Sequence, residues 1–191
     1  MAHGEQSLTR SEALSRLLKD TGFAGAERAP LAGDASTRCY ERLSLPGRRA
    51  ILMDAPTSSE SAPCPPGATP AERRTLGWNA MSRLAASRVE AFAAVGAHLG
   101  QMGLAAPEIY GVDFAAGYAV IEDLGDALYA RVLADGADEI ALYQEAARVL
   151  AHVHAAPAPA RLDGPGGASW PLLDYDALAL EVNADLFVEW L

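Results

Sequence analysis

The segment GDASTRCYER, residues 33–42, contains residue types that could bind a phosphate group. It opens with four small or polar residues, Gly33, Asp34, Ala35 and Ser36. Small side chains allow backbone N–H groups to approach phosphate oxygens closely, and Arg38 follows two positions later. The same residues are common in hairpin turns. From these residues alone, the segment is either a phosphate-covering loop or an ordinary turn between two strands.

The composition excludes several classes of protein. The 191 residues carry a formal net charge of −10, so a nucleic-acid backbone should be repelled, although a small basic pocket for a phosphorylated ligand remains open. The two cysteines, Cys39 and Cys64, have neither a disulfide framework nor metal-ligand spacing. The first 20 residues lack the apolar core of a signal peptide, and no run is long enough to span a membrane. We therefore expect a soluble cytoplasmic protein.

The first half of the chain predicts a helix followed by a small sheet. Ser11 is a candidate N-cap for a helix whose apolar face is Leu14, Leu17 and Leu18. Three short strands should follow: one approaching residue 33, one over residues 38–43 and one over residues 49–53. A Pro-Gly pair at residues 46–47 predicts the turn between the last two.

The middle of the chain predicts a linker, a helical region and a hairpin. Residues 57–74 are rich in Pro, Ser and Ala and should form an exposed linker. Residues 74–103 have helical spacing, with Gly103 as the stop signal. Residues 106–121 predict two strands that turn at Gly117.

The last third of the chain is predicted to be helical, with a loop at residues 157–171. One short helix should precede a longer one that has five inward-facing residues, Ile140, Tyr143, Ala147, Leu150 and Val153. The final helical pattern ends with four apolar residues and no cap, Leu186, Phe187, Trp190 and Leu191. Because an apolar face needs a cover, we expect either further chain beyond Leu191 or a partner chain on this face.

Four segments resemble the aminoglycoside phosphotransferase family, and most closely its bacterial kinases of N-acetylmuramate and N-acetylglucosamine. They are GDASTRCYER at residues 33–42, ILMDAP at 51–56, GLAAPEIYGVD at 103–113 and GYAVIEDLGDALY at 117–129. The resemblance implies an α+β, protein-kinase-like fold. Its N-lobe, residues 1–123, would hold a five-stranded antiparallel sheet with an inserted helix. Residues 124–191 would form the hinge exit and the first helices of a truncated C-lobe.

The resemblance also implies a site for ATP or another purine nucleotide with Mg²⁺. Its cofactor-binding residues would be Gly33, Asp34, Ala35, Ser36, Arg38, Glu122, Asp123 and Leu124. The first hairpin would cover the phosphates, and the hinge at residues 122–124 would bind the adenine edge through backbone groups. Leu31, Ile51 and Ile121 would supply apolar walls, or would simply be core residues.

The chain departs from protein kinases at the third strand, which has no lysine, because the single lysine is Lys19. Our hypothesis is that Arg38 supplies the positive charge, since a guanidinium can hold phosphate oxygens in a bidentate fashion; the alternative is a solvated strand residue. Asp54 could pair with Arg38 or Arg42, but a cap of the following turn is the favoured interpretation. Glu90 is expected on a solvated helix face.

The family's catalytic His-x-Asp loop has no counterpart in this sequence, so we assign no catalytic residue and no metal ligand. His152 and His154, at i and i+2 on a helix, do not face each other and are not expected to bind a metal. The favoured function is the nucleotide-binding portion of an ATP-dependent kinase of a sugar hydroxyl. A catalytically dead, pseudokinase-like binding module and an unrelated α+β domain are the alternatives, so the sequence alone leaves enzymatic activity open.

Overall fold

A five-stranded antiparallel sheet organises the first part of the chain. The computed structural model describes residues 9–32, 38–56, 67–76, 88–172 and 175–189. The strands are β1 (Glu27–Pro30), β2 (Cys39–Leu45), β3 (Arg48–Asp54), β4 (Ile109–Asp113) and β5 (Tyr118–Ile121). Their order across the sheet is β1-β2-β3-β5-β4, which confirms the predicted five-stranded antiparallel sheet.

Six α-helices and a second, two-stranded sheet complete the described elements. The helices are α1 (Arg10–Asp20), α2 (Pro70–Thr75), α3 (Val89–Gln101), α4 (Tyr129–Ala134), α5 (Glu139–His154) and α6 (Ala177–Glu189). The small sheet pairs β6 (Arg161–Asp163) with β7 (Ser169–Pro171) around a short 3-10 turn at Pro165–Gly167. None of the helices in the described ranges combines the length and the apolarity that crossing a membrane would require.

Helix α1 covers one face of the large sheet. Its N-cap is Thr9 rather than the predicted Ser11, because the Thr9 hydroxyl and the Glu12 carboxylate satisfy each other's backbone N–H groups in a capping box. Leu17 packs into a cluster of buried side chains from the sheet and from the α1–β1 connection, which comprises Phe23, Leu43, Ala50, Leu52, Tyr118 and Val120. Burial of this face, rather than helix propensity alone, holds α1 in place.

Helix α3 covers part of the opposite face. Val89 packs there with a second cluster of buried residues, which comprises Ile51, Met53, Ala55, Ala119 and Ile121. The helix ends as predicted near Gly103, whose φ of +80° is accessible to glycine at little cost. The predicted helical residues 77–87 lie outside the described residues.

Part of the predicted linker is helical. Residues 57–66 lie outside the described residues, but α2 begins at Pro70, where a capping box between Thr69 and Glu72 stabilises the first turn. Proline is compatible with this position because its missing N–H would be unpaired there in any case. The Pro-rich composition therefore predicted a linker at a point where a helix begins.

Residues 157–171 were predicted as a loop, and this prediction was wrong, because residues 161–171 contain the β6–β7 hairpin. Leu162 and Ala168 are buried against Ala93 and Ala94 of α3. Gly164 passes so close to α3 that an added Cβ would lie 2.7 Å from the Ala93 carbonyl oxygen. Packing on α3, which the local sequence cannot reveal, gives this Gly-rich segment its strand structure.

The predicted inward face of α5 does not exist among the described residues. Ile140, Tyr143 and Leu150 are 70%, 56% and 56% exposed, and Ala147 is also exposed, while Val153 is only half-buried. Asp138 caps the helix by accepting a hydrogen bond from the Ala141 N–H. The helix is thus formed as predicted, but most of its apolar stripe is exposed, and Tyr143 contacts Tyr129 of α4 with the two ring centres 6.3 Å apart. Helix α6 also follows the prediction, whereas residues 190–191 and the side chains of 186–189 are not among those described.

Candidate functional site

The predicted phosphate loop lies only partly within the described residues. Gly33, Asp34, Ala35 and Ser36 lie outside the described residues, so their role stays a prediction. Arg38 is described and half-buried, with its guanidinium carbon 6.0 Å from the centre of the Tyr40 ring. Tyr40 belongs to the sheet face that carries Ile51, Met53 and Ile121. Arg38 therefore lies directly before β2, next to this face of the sheet, and its role in binding phosphate stays a hypothesis.

The three residues predicted to wall a purine site lie together. Leu31, Ile51 and Ile121 belong to one apolar cluster on the sheet face that α3 partly covers. Ile51 lies directly opposite Ile121 in the β3–β5 register. Ile51 and Ile121 are 8% and 5% exposed, so only their edges reach the surface. Their shared position is established, and their contact with a nucleotide is a prediction.

Residues 122–125, here called the hinge segment, leave the sheet directly after β5. The Glu122 N–H donates to the Glu108 carbonyl oxygen at 2.8 Å, and the Glu122 carboxylate accepts from the Glu108 N–H at 3.1 Å. These two bonds hold the start of the segment against the residue before β4. Within the described part of the chain, the Glu122 carbonyl oxygen and the Leu124 N–H have no hydrogen-bond partner. One backbone acceptor and one backbone donor are thus available two residues apart.

The side chain of Asp123 is not available to a ligand. Its Oδ2 accepts from Arg42 Nε at 2.9 Å, and its Oδ1 accepts from Arg42 Nη2 at 3.3 Å and from the Gly125 N–H at 2.9 Å. Arg49 Nε lies 3.9 Å from the same carboxylate. The Asp123 side chain is only 5% exposed. This agrees with the expectation that hinge contacts come from the backbone.

Arg42 also contacts Asp126, beyond the hinge segment. Arg42 Nη2 donates to Asp126 Oδ1 at 3.0 Å, and Arg131 Nη1 lies 3.7 Å from the same oxygen. The hydrogen bond from Arg42 lowers the pKa of Asp126 below its ordinary value. The hydrogen bonds to Asp126 and Asp123 in turn raise the pKa of Arg42. Opposite charges therefore connect β2 to the exit of the hinge.

Sequence reasoning missed the role of Arg42 and considered it only as a partner of Asp54. The structure pairs Asp54 with Arg10 instead, at 2.5 Å between Arg10 Nη2 and Asp54 Oδ1. The predicted pairing of Asp54 with Arg42 is therefore wrong, and its role as a cap of the following turn stays a prediction, because residues 57–66 lie outside the described residues. The alternation of side chains along the strands argues against an Asp54–Arg42 pair, because Asp54 lies opposite Cys39 in the register and therefore on the other face of the sheet from Arg42.

Glu90 is not on a simple solvated face. Its carboxylate accepts hydrogen bonds from Arg88 Nη2 at 2.6 Å and from Arg88 Nε at 3.2 Å, and its side chain is 19% exposed. Both residues lie at the start of α3, where the helix dipole also stabilises a carboxylate. The expectation of a solvated helix face is therefore wrong, because Glu90 pairs with Arg88.

Neither histidine of α5 is placed as one of a pair of metal ligands. His152 Nε2 lies 2.8 Å from the Met102 carbonyl oxygen, which connects α5 to the end of α3. Within the described ranges, no three His, Cys, Asp or Glu side chains are grouped so that they could hold a metal ion.

A shallow pocket lies away from the predicted nucleotide residues. It measures about 260 Å³ and is formed by the end of α3, residues 104–107, Ile109 and Pro165. Its lining is glycine, alanine, leucine, proline and isoleucine, so it offers no charged side chain. None of the described residues that were predicted to bind the nucleotide lines it.

Comparison with known proteins gives two matches. Residues 27–190 match the model of the phosphotransferase enzyme family. The chain is also 52% identical over 186 residues to an N-acetylmuramate/N-acetylglucosamine kinase of Caulobacter vibrioides, a match that covers 96% of this chain and 50% of that protein. The chain thus spans about half the length of the relative.

These matches confirm the family resemblance and the α+β, protein-kinase-like fold inferred from the sequence, and they exclude the alternative of an unrelated α+β domain. The family match contains all five strands of the large sheet, the hinge segment and helices α2 to α6, while α1 precedes it. By sequence match and by architecture, the chain belongs to the phosphotransferase enzyme family.

Proposed function

We propose that this chain supplies the nucleotide-binding part of an ATP-dependent kinase that phosphorylates a hydroxyl group of an amino sugar. The observation that supports this most directly is the 52% identity over 186 residues with a kinase named for N-acetylmuramate and N-acetylglucosamine. The acceptor sugar in this proposal is therefore N-acetylmuramate or N-acetylglucosamine. The protein would work in the cytoplasm, where both ATP and phosphorylated sugars are retained.

The hinge segment would bind the adenine ring. A purine with an exocyclic amine offers a donor and an acceptor on one edge, and these match the Glu122 carbonyl oxygen and the Leu124 N–H. The neighbouring apolar cluster would contact the faces of the ring. Gly33, Asp34, Ala35 and Ser36 would cover the phosphates, and Arg38 would contribute positive charge beside them.

Magnesium would accompany the nucleotide and neutralise charge on the phosphates during transfer. We assign no residue of this chain to the metal, because the described residues offer no suitable group of ligands. We likewise assign no catalytic base, because the sequence contains no His-x-Asp motif. In this proposal the chain binds nucleotide and further polypeptide supplies the transfer chemistry.

The division into lobes is part of the same proposal. Residues 1–123 would form the sheet lobe, and residues 124–191 would begin a helical lobe. Leu128, Tyr129, Ile140, Tyr143 and Leu150 are large apolar residues exposed on α4, on α5 or just before α4. Further helices of the same lobe, or a partner chain, would cover them, because exposed apolar patches of this kind are typical of interaction surfaces.

The test is calorimetric titration of the full 191-residue chain with ATP and Mg²⁺, with and without N-acetylmuramate. We expect ATP to bind weakly, and a separate assay with radiolabelled ATP should form no phosphorylated sugar. Leu124→Pro, which removes the hinge N–H, should weaken binding about tenfold, a loss of about 1.4 kcal/mol. Leu124→Ala keeps that N–H and is the matched control, with an affinity close to wild type. A wild-type chain that does not bind ATP would refute the proposal.

A further inference from the structure

The ion pair between Arg42 and Asp123 joins two parts of the sheet that are not neighbours. Strand β3 lies between β2 and β5 in the sheet order. Arg42 lies opposite Ile51, and Ile51 lies opposite Ile121, so the three residues form one row across the sheet. The Arg42 side chain reaches along this row, past Ile51, to the carboxylate two residues beyond Ile121. The pair therefore connects the strand after the predicted phosphate loop to the hinge segment.

The geometry of this contact is more restrictive than that of an ordinary surface ion pair. The guanidinium donates to both oxygens of Asp123, and planar bidentate pairs fix orientation as well as distance. The two side chains are 19% and 5% exposed, so water competes poorly for either group. Exposed pairs contribute little because solvent screens them, and this pair is largely removed from that screening.

The same carboxylate shapes the backbone of the hinge segment. Asp123 Oδ1 accepts the N–H of Gly125, which has a φ of +82° and so turns the chain away from the sheet. Leu124, whose N–H has no partner among the described residues, lies between these two residues. We call Arg42, Asp123 and Gly125 the hinge clasp.

We propose that Arg42 is a positioning residue for nucleotide binding, because through the hinge clasp it holds the hinge backbone at a set distance from strand β2. This inference rests on the proposed function, since it names the residue that pre-forms the adenine site. Removing Arg42 would leave the Asp123 carboxylate nearly buried with a neutral donor and the distant Arg49. A buried carboxylate that loses its charged partner is costly, so the hinge segment would turn Asp123 toward water. The Leu124 N–H would then lose its orientation.

The chain offers a matched control on the same strand. Arg28 forms an equally bidentate pair with Glu41, at 2.6 Å and 2.9 Å. Glu41 is the neighbour of Arg42 in β2 and lies on the opposite face, so this pair connects only the adjacent strands β1 and β2. Arg28→Ala removes a similar side chain and a similar ion pair without touching the hinge segment.

The first test is hydrogen exchange of the ligand-free chain, followed by mass spectrometry of peptides that contain residues 122–125. In Arg42→Ala the Gly125 amide should exchange at least tenfold faster than in wild type, and in Arg28→Ala its rate should not change. Arg42→Lys, which keeps the charge but not the bidentate geometry, should give an intermediate rate. Equal rates in all four proteins would overturn the proposal, and so would equal acceleration in Arg42→Ala and Arg28→Ala.

The second test is the affinity for ATP with Mg²⁺, measured by calorimetry on the same four proteins. We expect the Kd to rise about tenfold in Arg42→Ala, to rise less in Arg42→Lys and to stay within twofold in Arg28→Ala. Faster exchange in Arg42→Ala with an unchanged Kd would overturn the positioning role. If the wild-type chain binds no ATP, the proposed function fails, and the exchange rates still decide whether the hinge clasp orders the hinge.

Discussion

The sheet with its helices α1 and α3 differs sharply from helices α4 and α5. Both faces of the sheet carry clusters of buried side chains, and eight residues of β3 and β5 belong to the two clusters that flank it: Ala50, Ile51, Leu52, Met53, Tyr118, Ala119, Val120 and Ile121. Helices α4 and α5 contain no buried residue, although both are described in full. The two parts have similarly regular apolar patterns, so the pattern alone does not tell whether a face is covered.

This comparison indicates where the stability of the chain resides. Burial of apolar surface is the main favourable term in folding, so the sheet part should unfold as a cooperative unit. Helices whose apolar stripe faces water gain little from tertiary packing and depend on their own propensity and caps. Each of the following experiments would strengthen or remove this contrast.

The largest effect should come from a matched pair of leucine truncations. Leu52→Ala removes a side chain that is 1% exposed in the centre of the sheet, and it should lower the free energy of unfolding by about 2–5 kcal/mol. Leu150→Ala removes the same atoms from a residue that is 56% exposed on α5, and it should change stability by less than about 0.5 kcal/mol. Urea unfolding followed by circular dichroism measures both. Similar losses in the two variants would mean that the α5 stripe is covered in solution.

An intermediate effect should come from two glycine substitutions, one expected to lower the free energy of unfolding and one expected to raise it. An added Cβ at Gly111 would lie 2.5 Å from Thr21 Cγ2 and 3.1 Å from Leu17 Cδ1, so Gly111→Ala should push α1 away from β4 and destabilise by about 1–3 kcal/mol. Gly96, within α3, has open space around its Cα, and Gly96→Ala should stabilise by up to about 1 kcal/mol. Thermal unfolding distinguishes the two. A stable Gly111→Ala variant would show that α1 does not need its close approach to the sheet.

The smallest effect concerns Asp126, which lies between the two parts of the molecule. Its pKa is lowered in the folded chain by Arg42, so ionised Asp126 favours the folded state above the ordinary aspartate pKa of about 3.9. That contribution should disappear as the pH falls from this value through the lower pKa of the folded state. The urea midpoint of wild type should therefore fall slightly more steeply than that of Asp126→Asn between about pH 5 and 3. Parallel curves would contradict the Arg42–Asp126 interaction.

Much of the fold could be predicted because it depends on local signals. Pro46–Gly47 forms the β2–β3 turn, and Gly117 forms the β4–β5 turn with a φ of +73°. An added Cβ at Gly117 would lie 2.2 Å from the Ala55 carbonyl oxygen, so both the backbone angle and the space require glycine. The β6–β7 hairpin could not be predicted in the same way, because its strands are stabilised by α3, more than 60 residues earlier in the chain.

The residues of the candidate site also differ in whether the sequence alone could predict them. The position of the hinge segment directly after β5 could be predicted from a buried strand and an acidic exit, both of which are contiguous in sequence. The partner of Asp123 could not be predicted in this way, because Arg42 is 81 residues away. Alternation along β2 indicates only which face of the sheet Arg42 occupies. That Arg42 pairs with Asp123 and not with Asp54 follows only from the register of β2, β3 and β5.

The sequence by itself determined the order of the five main strands and most helices, the position of the main turns and the family, because each of these depends on neighbouring residues or on a recognisable segment. Only the tertiary structure decided which charged groups meet, which apolar stripe is buried and which Gly-rich segment becomes a hairpin. Those outcomes depend on pairs of residues far apart in the chain, and their free energies depend on distance and exclusion of water, which exist only after the elements have packed.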